Sequence, residues 1–465
     1  MRKKWCSLVI VVALGWGTVG CVPQTGKTDQ TTAAPVSSAA AQEPADLPAE
    51  APADKPTDQP TDQPTDQPTD QPTDQPTDQP TDKPVDEPAD VSTEESGTNH
   101  AAGLSAPLSR FPEQRITLMA VGDIMVHDEQ LEAALLQDKK TYNFAPSFAY
   151  VKPIFQEADW LIGNLETTLA GQELRYSGYP MFNSPDSLAD TLKQLGFTAL
   201  TTANNHSMDR KEKGVRRTID QLDRVGLLHT GTFRDEASRN EPLILNKDGF
   251  TMALLSYTYG TNGIPIPKDK PYLVNLINPD LIKADIAKAR AAGVDLVAVA
   301  LHFGNEYQRM PNAKQRETAE LCIKFGADLV LGAHPHVVQP YEWKTMTLED
   351  GSTHTGFIAY SLGNFISAQR RDYKDVGVIL KLTLYKGESG EAKVEKAEWT
   401  TTYVHYYRKN GKRHYVIYPV PLAVSAMEQG QKPPVLGKEL ADFLNRLQKE
   451  MDTHLNSMNK QTKAS

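Results

Sequence analysis

The stretch ADLVLGAHPHVVQP, residues 327–340, is a run of aliphatic side chains that ends in two histidines, His334 and His336. The apolar run is short and nearly continuous, which is typical of a strand buried on both faces of a sheet. Alternate residues of an extended chain point to the same face. Both imidazoles are therefore expected to point toward one location just beyond the end of this strand.

Four other segments have the same construction, in which polar side chains follow an apolar strand. They are VGDIMVHD (residues 121–128), LIGNLET (161–167), LTTANNHSMD (200–209) and VAVALHFGNE (297–306). Their polar residues include carboxylates, amides and imidazoles, but no thiolate. This set of oxygen and nitrogen donors indicates a metal-centred site that suits manganese, iron or zinc.

Strand-like and helical segments alternate from about Ile116 to about Asp372. Apolar residues recur at helical spacing between the strand-like runs, in residues 187–196, 215–226, 279–293 and 312–326. This alternation predicts an α/β fold. Sites in open α/β sheets lie beyond the carboxyl ends of the parallel strands, which is where all the polar segments fall.

The pattern changes in the C-terminal part of the chain, residues 373–465. Polar and apolar residues alternate there as in antiparallel strands, around a turn that contains glycine. A helix is expected near Leu436–Met451. We expect these elements to complete the domain formed by residues 113–372 and not to add a separate function.

The first 20 residues have the pattern of a secretory signal peptide. A basic start precedes an apolar stretch from Leu8 to Leu14, which is too short to span a bilayer as an ordinary helix. The sequence TVGC at residues 18–21 resembles a lipobox, which predicts cleavage after residue 20 and a lipid on Cys21. The alternative is ordinary signal peptidase cleavage nearby, with Cys21 incidental.

Residues 21–112 are predicted to form a disordered linker rich in Pro, Asp, Thr and Gln. The tetrapeptide TDQP repeats from Thr57 to Pro80. Proline at every fourth position disfavours helix and sheet and favours an extended chain that could reach on the order of 100 Å. The repeats have no hydrophobic residue to bury. The linker is expected to carry the domain away from the membrane; the alternative is low-complexity sequence with no length requirement.

The formal charge is concentrated in the N-terminal part of the chain. Residues 1–110 contain 7 Lys and Arg and 17 Asp and Glu, whereas the remainder contains 42 of each sign. The whole net charge of −10 therefore belongs to the N-terminal part, and the globular part is near neutral. No nucleic-acid partner is expected from such a surface.

The ordered motifs resemble the CapA family of poly-γ-glutamate capsule biosynthesis proteins, within the metallophosphoesterase-like superfamily. The motifs VGDIMVHD, GNLET, FNSPDSLADTLKQLGFTALTTANNHSMD, LHFGNEY, GAHPHVVQP and SLGNF occur in the family's order between about Ile116 and Phe365. The resemblance implies a four-layer α-β-β-α sandwich of the metallophosphoesterase type, with two mixed sheets face to face and helices outside.

The resemblance also implies a biological setting. We expect an extracytoplasmic lipoprotein, anchored to the cell membrane through an N-terminal lipid and exposed at the cell surface. Its role would be in the synthesis, export or anchoring of an anionic polymer such as poly-γ-glutamate. The expected partners are this polymer or a phosphoester substrate, together with subunits of a capsule synthase.

The polar residues of these motifs have expected roles, read from their chemistry and, for Asn205 and His206, from superfamily residues that they resemble; the superfamily's usual second aspartate motif is absent, and GNLE stands in its region. The expected ligands of one or two divalent ions are Asp123, Glu166, Asn205, His302, His334 and His336. Glu166 is the candidate bridge between two ions, with Asp123 on one of them. His206 resembles the superfamily histidine that protonates the leaving oxygen, and Asp209 is expected to orient it. The expected substrate contacts are Asn164, His127, Asn183 and Asn364.

Several of these assignments have alternatives. Met125 stands where the superfamily has a histidine, so one metal position is expected to be weak or empty. His127 would compensate as a ligand or contact a substrate anion. Asn164 and Asn364 would otherwise cap turns, and Asn183 would otherwise only precede a helix.

Three functions fit the sequence. The first is a metal-dependent hydrolase acting on a phosphoester or, less in keeping with the motifs, an amide. The second is a non-catalytic binding module whose metal holds polymer carboxylates or a synthase partner, and the third is a scaffold. A serine triad is disfavoured, because no Gly-x-Ser-x-Gly elbow accompanies the histidines.

Overall fold

The computed structural model describes residues 112–429 and 438–461. The strands of this part are β1 (Gln114–Ile124), β2 (Trp160–Leu165), β3 (Ala199–Thr201), β4 (Leu228–Thr230), β5 (Leu243–Lys247), β6 (Phe250–Thr258), β7 (Leu296–His302), β8 (Leu329–Ala333), β9 (Val338–Thr347), β10 (Thr353–Leu362), β11 (Asn364–Ile366), β12 (Val376–Lys386), β13 (Ala392–Lys409) and β14 (Lys412–Pro419). The helices are α1 (Asp128–Ala134), α2 (Lys152–Phe155), α3 (Ser187–Gln194), α4 (Lys211–Val225), α5 (Glu236–Arg239), α6 (Pro279–Ala291), α7 (Ala313–Lys324), α8 (Val420–Glu428), α9 (Lys438–Leu455) and α10 (Ser457–Gln461).

The strands form two mixed sheets. The first has the order β14-β13-β12-β1-β2-β3-β4, with β11 beside β1. In it β1 to β4 are parallel and β12 to β14 are antiparallel. The second has the order β5-β6-β7-β8-β10-β9, in which the four inner strands are parallel and each edge strand is antiparallel to its neighbour.

Consecutive residues of one strand belong to different apolar cores, which establishes the layers. Leu118 of β1 shares a core with Met252 of β6, so this core lies between the two sheets. Its neighbour Met119 packs in a core with Leu188 of α3, on the outer face of the first sheet. Ala253 of β6 packs in a third core with residues of α6 and α7. The predicted four-layer sandwich is confirmed by these three cores.

The C-terminal elements pack against the same two sheets. β12 pairs with β1 along eight residues, which brings β13 and β14 into the first sheet. Leu444, Leu447 and Met451 of α9 are buried in the core that the two sheets share.

Some predictions concern residues that the structure does not describe. The predicted signal peptide, the predicted lipid attachment at Cys21 and nearly all of the predicted linker lie outside the described residues. Among the helices of the described ranges, none has the length and apolar character needed to cross a membrane.

Gly122 allows two segments of backbone to approach closely beside the predicted metal ligand Asp123. A Cβ atom at residue 122 would lie 1.8 Å from the carbonyl oxygen of Gly363. The N–H of Asp123 donates to this same oxygen at 2.9 Å. As a result Asp123 lies in register with Asn164 of β2 on one side and Asn364 of β11 on the other.

We predict that Gly122→Ala destabilises the protein by about 2 kcal/mol or more, because the added methyl group overlaps backbone that cannot move without breaking a strand pair. Gly260→Ala is the matched control. No atom lies within 4 Å of a Cβ at residue 260, and the backbone there is not left-handed. Its expected effect is below about 0.5 kcal/mol. Urea unfolding of both variants measures the difference, and equal midpoints would contradict this account of the close approach.

Candidate metal centre

The carboxyl ends of parallel strands from both sheets carry the predicted ligands. Asp123 is the penultimate residue of β1, Glu166 follows β2, and His302 is the last residue of β7. Asn205 lies in the loop after β3. Its Oδ1 is 2.9 Å from Nε2 of His302, so strand ends from the two sheets meet at one place.

His334 and His336 come together for a reason that differs from the prediction. β8 ends at Ala333, and the two histidines have φ of 99° and 57°, in the left-handed region. The expected extended alternation was therefore wrong, and a bend between β8 and β9 brings the ring centroids to 5.8 Å. Left-handed backbone in residues other than glycine costs on the order of 1–3 kcal/mol and is concentrated at functional sites.

Two groups of three donors share Glu166. One group is Asp123, Glu166 and His336, and the other is Glu166, His302 and His334. In each group the ligand atoms lie within 4.8 Å of one another. All five side chains are buried. A carboxylate common to two such groups is what a pair of neighbouring divalent ions requires.

The hydrogen bonding of these donors fits a bound cation. Neither carboxylate oxygen of Glu166 has a hydrogen-bond partner within the described residues, and Nδ1 of His334 also has none. A buried carboxylate without partners is unfavourable, because it has lost water and gained nothing in return. Burial, and next the negative charge of Asp123, raise the pKa of Glu166 well above its ordinary value. A divalent ion would satisfy both residues.

Two of the imidazoles, those of His302 and His334, are held in the neutral form that binds metals. Burial, followed by the proximity of His334, lowers the pKa of His302 well below its ordinary value. Burial, followed by the proximity of His336, lowers the pKa of His334 to about 4. Neutral imidazole is the ligand form. Neither ring therefore has to lose a proton before it coordinates an ion near neutral pH.

Two asparagines that were predicted to contact substrate lie against ligands instead. Nδ2 of Asn164 donates to Oδ1 of Asp123 at 2.9 Å and is 3.3 Å from Nδ1 of His302. Oδ1 of Asn364 is 3.1 Å from Nδ1 of His336. Contacts of this kind orient the ligands of a metal site. Both asparagines therefore contact predicted ligands directly, which is the arrangement of residues that position ligands.

His206 and Asp209 form a buried pair beside the donor groups. Nδ1 of His206 is 2.7 Å from Oδ2 of Asp209. The same oxygen accepts the N–H of Phe182 at 2.6 Å, and the ring of Phe182 meets the imidazole edge to face at 4.6 Å. The carboxylate thus fixes the ring and its Nδ1 proton, which leaves Nε2 as the atom able to give or take a proton.

His127 lies beside this pair but outside the donor groups. Its ring meets the ring of Phe182 at 5.1 Å, and its Nδ1 accepts the N–H of Ala368 at 3.3 Å. Burial is the largest of the effects that lower its pKa to about 4. His127 is therefore neutral at physiological pH and presents no positive charge to a substrate anion.

Asn183 holds a loop rather than reaching the donor groups. Its Oδ1 accepts the N–H of Ala170 at 2.7 Å, and its Nδ2 donates to the carbonyl oxygens of Gly171 and Arg175, both at 2.9 Å. Every polar atom of the amide is engaged by backbone. The predicted substrate contact at this residue does not agree with that geometry.

Three side chains at the site were not identified from the sequence: Asn262, Tyr259 and Glu306. Oδ1 of Asn262 accepts from Nδ2 of Asn205 at 3.2 Å, and its Nδ2 is 3.5 Å from both ring nitrogens of His206. The ring of Tyr259 lies 4.7 Å from that of His334. All three residues lie in loops, where the spacing of apolar residues gives no information. Only Glu306 falls within a motif found in the sequence, LHFGNEY.

Residues 117–369, more than half of the chain, match the sequence model of the family described as "Bacterial capsule synthesis protein PGA_cap". The chain belongs to the PGA_cap family. The five residues of the two donor groups all lie within the matched range, as does the pair of His206 and Asp209. The resemblance to capsule biosynthesis proteins seen in the motifs is confirmed. Residues 30–96 match the description "PT disordered repeat".

Relatives of this PGA_cap protein include two named CapA. The chain is 29% identical over 272 residues to the capsule biosynthesis protein CapA of Bacillus anthracis, covering 57% of this chain and 62% of that protein. It is also 29% identical over 255 residues to the PGA biosynthesis protein CapA of Bacillus subtilis (strain 168), covering 53% and 63%. The chain thus spans about three-fifths of the length of these curated relatives.

Solved structures of low overall similarity include a nucleotidase and a calcineurin-like phosphoesterase. Haemophilus influenzae NAD nucleotidase (NadN) gives a TM-score of 0.39 at 9% identity, over 73% of this chain and 60% of that one. The calcineurin-like phosphoesterase YfkN of Bacillus subtilis gives 0.35 at 15% identity, over 62% and 91%. With TM-scores this low, the fold assignment rests on the two sheets and their strand order.

We predict that metal binding releases a proton from Glu166 at pH values below its raised pKa. Below its raised pKa the metal-free carboxyl group is protonated, and it must lose that proton to coordinate. His334, with a pKa of about 4, is already neutral above about pH 5. Proton release should therefore fall as the pH rises through the raised pKa of Glu166.

Calorimetric titration with manganese in buffers of different ionisation enthalpy measures this release. Glu166→Gln should abolish it, whereas Glu317→Gln, on the exposed face of α7, should leave it unchanged. Release that does not vary with pH in the unaltered protein would show that Glu166 is not the group that titrates.

Proposed function

We propose that this PGA_cap protein is a metal-dependent hydrolase of the cell envelope, acting on a phosphoester or on an anionic capsule polymer. The observation that carries the proposal is the buried Glu166 carboxylate, which accepts no hydrogen bond from any described residue and is shared by two donor groups beside the pair of His206 and Asp209. One or two divalent ions, manganese, iron or zinc, would be held by Asp123, Glu166, Asn205, His302, His334 and His336.

The side chains divide the chemistry between them. When bound, a divalent ion supplies Lewis acidity toward a phosphoryl or carbonyl oxygen. In the hydrolysis, water forms the new bond to the phosphoryl or carbonyl group and gives up a proton to solvent. His206 gives a proton from Nε2 to the leaving oxygen of an ester or the leaving nitrogen of an amide, and Asp209 keeps the ring oriented through Nδ1. Asn262 borders both His206 and Asn205, and so limits the position of the scissile group.

The biological setting of the proposal comes from the relatives. Proteins named for capsule and PGA biosynthesis support a role in the synthesis, export or anchoring of an anionic polymer such as poly-γ-glutamate. We include in the proposal a signal peptide in residues 1–20, a lipid anchor at Cys21, a linker in residues 21–112, and contact with subunits of a capsule synthase. The catalytic domain would then span residues 113–372, completed by residues 373–465.

A metal-dependent binding module is the second candidate, and one observation favours it. The buried Met125 stands where the superfamily has a histidine, so this position supplies a thioether in place of an imidazole. A centre with fewer ligands on one ion would hold polymer carboxylates without turning them over.

We predict that His206→Ala lowers the hydrolysis of aryl phosphate mono- or diesters by about 100-fold or more, the usual contribution of a positioned general acid, while bound metal is unchanged. His414→Ala, on β14, is the control and should behave as the unaltered protein. Initial rates and elemental analysis of the same samples provide the two readouts.

The contrary outcomes are distinct. Metal-loaded protein that binds γ-glutamyl oligomers but hydrolyses neither ester nor oligomer would favour the binding module. Turnover that survives in His206→Ala would remove this residue from the mechanism.

A further inference from the structure

Glu306 is held beside the histidine bend by backbone geometry. It lies four residues after the end of β7, beyond a tight turn at Gly304, where φ is 104° and an added Cβ would lie 2.4 Å from the side chain of Gln315. The N–H of Tyr307 then donates to the carbonyl oxygen of Pro335 at 2.8 Å. Because Pro335 stands between His334 and His336, this bond fixes Glu306 next to both imidazoles.

Glu306 forms a third donor group with these histidines. Its carboxylate and the ligand atoms of His334 and His336 lie within 4.8 Å of one another. His334 is buried, and its Nδ1 has no hydrogen-bond partner among the described residues. Glu306 is exposed, whereas every member of the two groups around Glu166 is buried.

Two half-exposed tyrosines flank Glu306 at the entrance to the centre. The ring of Tyr259 lies 4.7 Å from that of His334, and the ring of Tyr307 lies 6.1 Å from that of His336. Burial, and next the negative charge of Glu306, raise the pKa of both phenols. Glu306 directly precedes Tyr307 in the chain and is exposed, whereas both histidines are buried.

We propose that Glu306 is an exchangeable ligand at the mouth of the metal centre, which an anionic oxygen group of the substrate displaces. This inference rests on the proposed function, because it requires a bound ion at the histidines. The buried residues around Glu166 hold the ion permanently. Glu306 closes the remaining position until substrate arrives.

Burial distinguishes the two kinds of ligand physically. A buried carboxylate that leaves an ion remains unsolvated, whereas an exposed one is solvated as soon as it swings away, so its release is much less unfavourable. Catalytic sites also keep one coordination position for substrate. A phosphoryl or carboxylate oxygen replaces one anionic donor with another and leaves the charge of the centre nearly unchanged. A neutral group would change the charge of the centre, because it would replace an anionic donor. Displacement of Glu306 therefore selects for anionic substrates.

The test uses the full chain loaded with manganese and compares Glu306→Gln with the control Glu317→Gln. Calorimetry should show the same number of manganese ions per chain in Glu306→Gln, with an affinity about tenfold lower for one of them. Inorganic phosphate should bind the loaded variant about tenfold more tightly than the unaltered protein, if Glu306 occupies its position in roughly nine-tenths of substrate-free molecules. A parallel titration with glutarate separates polymer carboxylates from phosphoesters as the source of the displacing group.

The failures of the two proposals are distinguishable. Unaltered protein that holds no manganese would overturn the proposed function, and the inference with it. Unaltered protein that holds manganese, with Glu306→Gln matching it for manganese, phosphate and glutarate, would leave the proposed function intact and overturn the inference. Weaker binding of both anions by Glu306→Gln would make Glu306 a substrate contact and would also overturn displacement.

Discussion

The rest of the site depends on the carboxylate of Glu166, which is buried and accepts no hydrogen bond within the described part of the chain. It lies at the junction of two sheets, is common to two groups of donors, and is destabilised by burial and by the nearby charge of Asp123. A fold retains such a group only if something compensates for its lost hydration. Histidines that are neutral because they are buried, and hence ready to coordinate, provide the surroundings of a cation.

The fold supplies this junction through features far from the donors themselves. Apolar side chains on both faces of the strands pack into the cores on either side of each sheet. This packing brings the ends of β1, β2, β7 and β8 to one edge of the sandwich. Gly122 allows β1 to lie against the Gly363 backbone, which places Asp123 between two asparagines. The left-handed backbone at His334 and His336 adds local strain of the kind that well-packed surroundings can sustain.

Much of this arrangement could be predicted from the sequence because it depends on short-range patterns. Continuous apolar runs marked β1, β2, β7 and β8, and the polar residues after them marked the strand ends where the donors lie. The ordered motifs then indicated the family and the layers. Short strands such as β4 and β11, each three residues long, carry too little pattern to be seen.

Other features depend on contacts between distant loops, which periodicity does not encode. The two histidines on either side of Pro335 suggested an extended chain, but Pro335 lies in a bend. Its carbonyl oxygen accepts the N–H of Tyr307. Asn183 looked like a substrate contact, yet its three hydrogen bonds all go to backbone of its own loop. Asn262 and Glu306 come from two other loops and reach the site only through the folded structure.

Anomalous X-ray diffraction from crystals grown with manganese tests the central claim most directly. The account predicts anomalous density within coordination distance of Glu166 and the histidines that share its groups, with a second ion about 3.5–4 Å from the first if both groups are filled. Crystals that contain manganese elsewhere but none beside Glu166, at a pH where that carboxyl group is ionised, would contradict it.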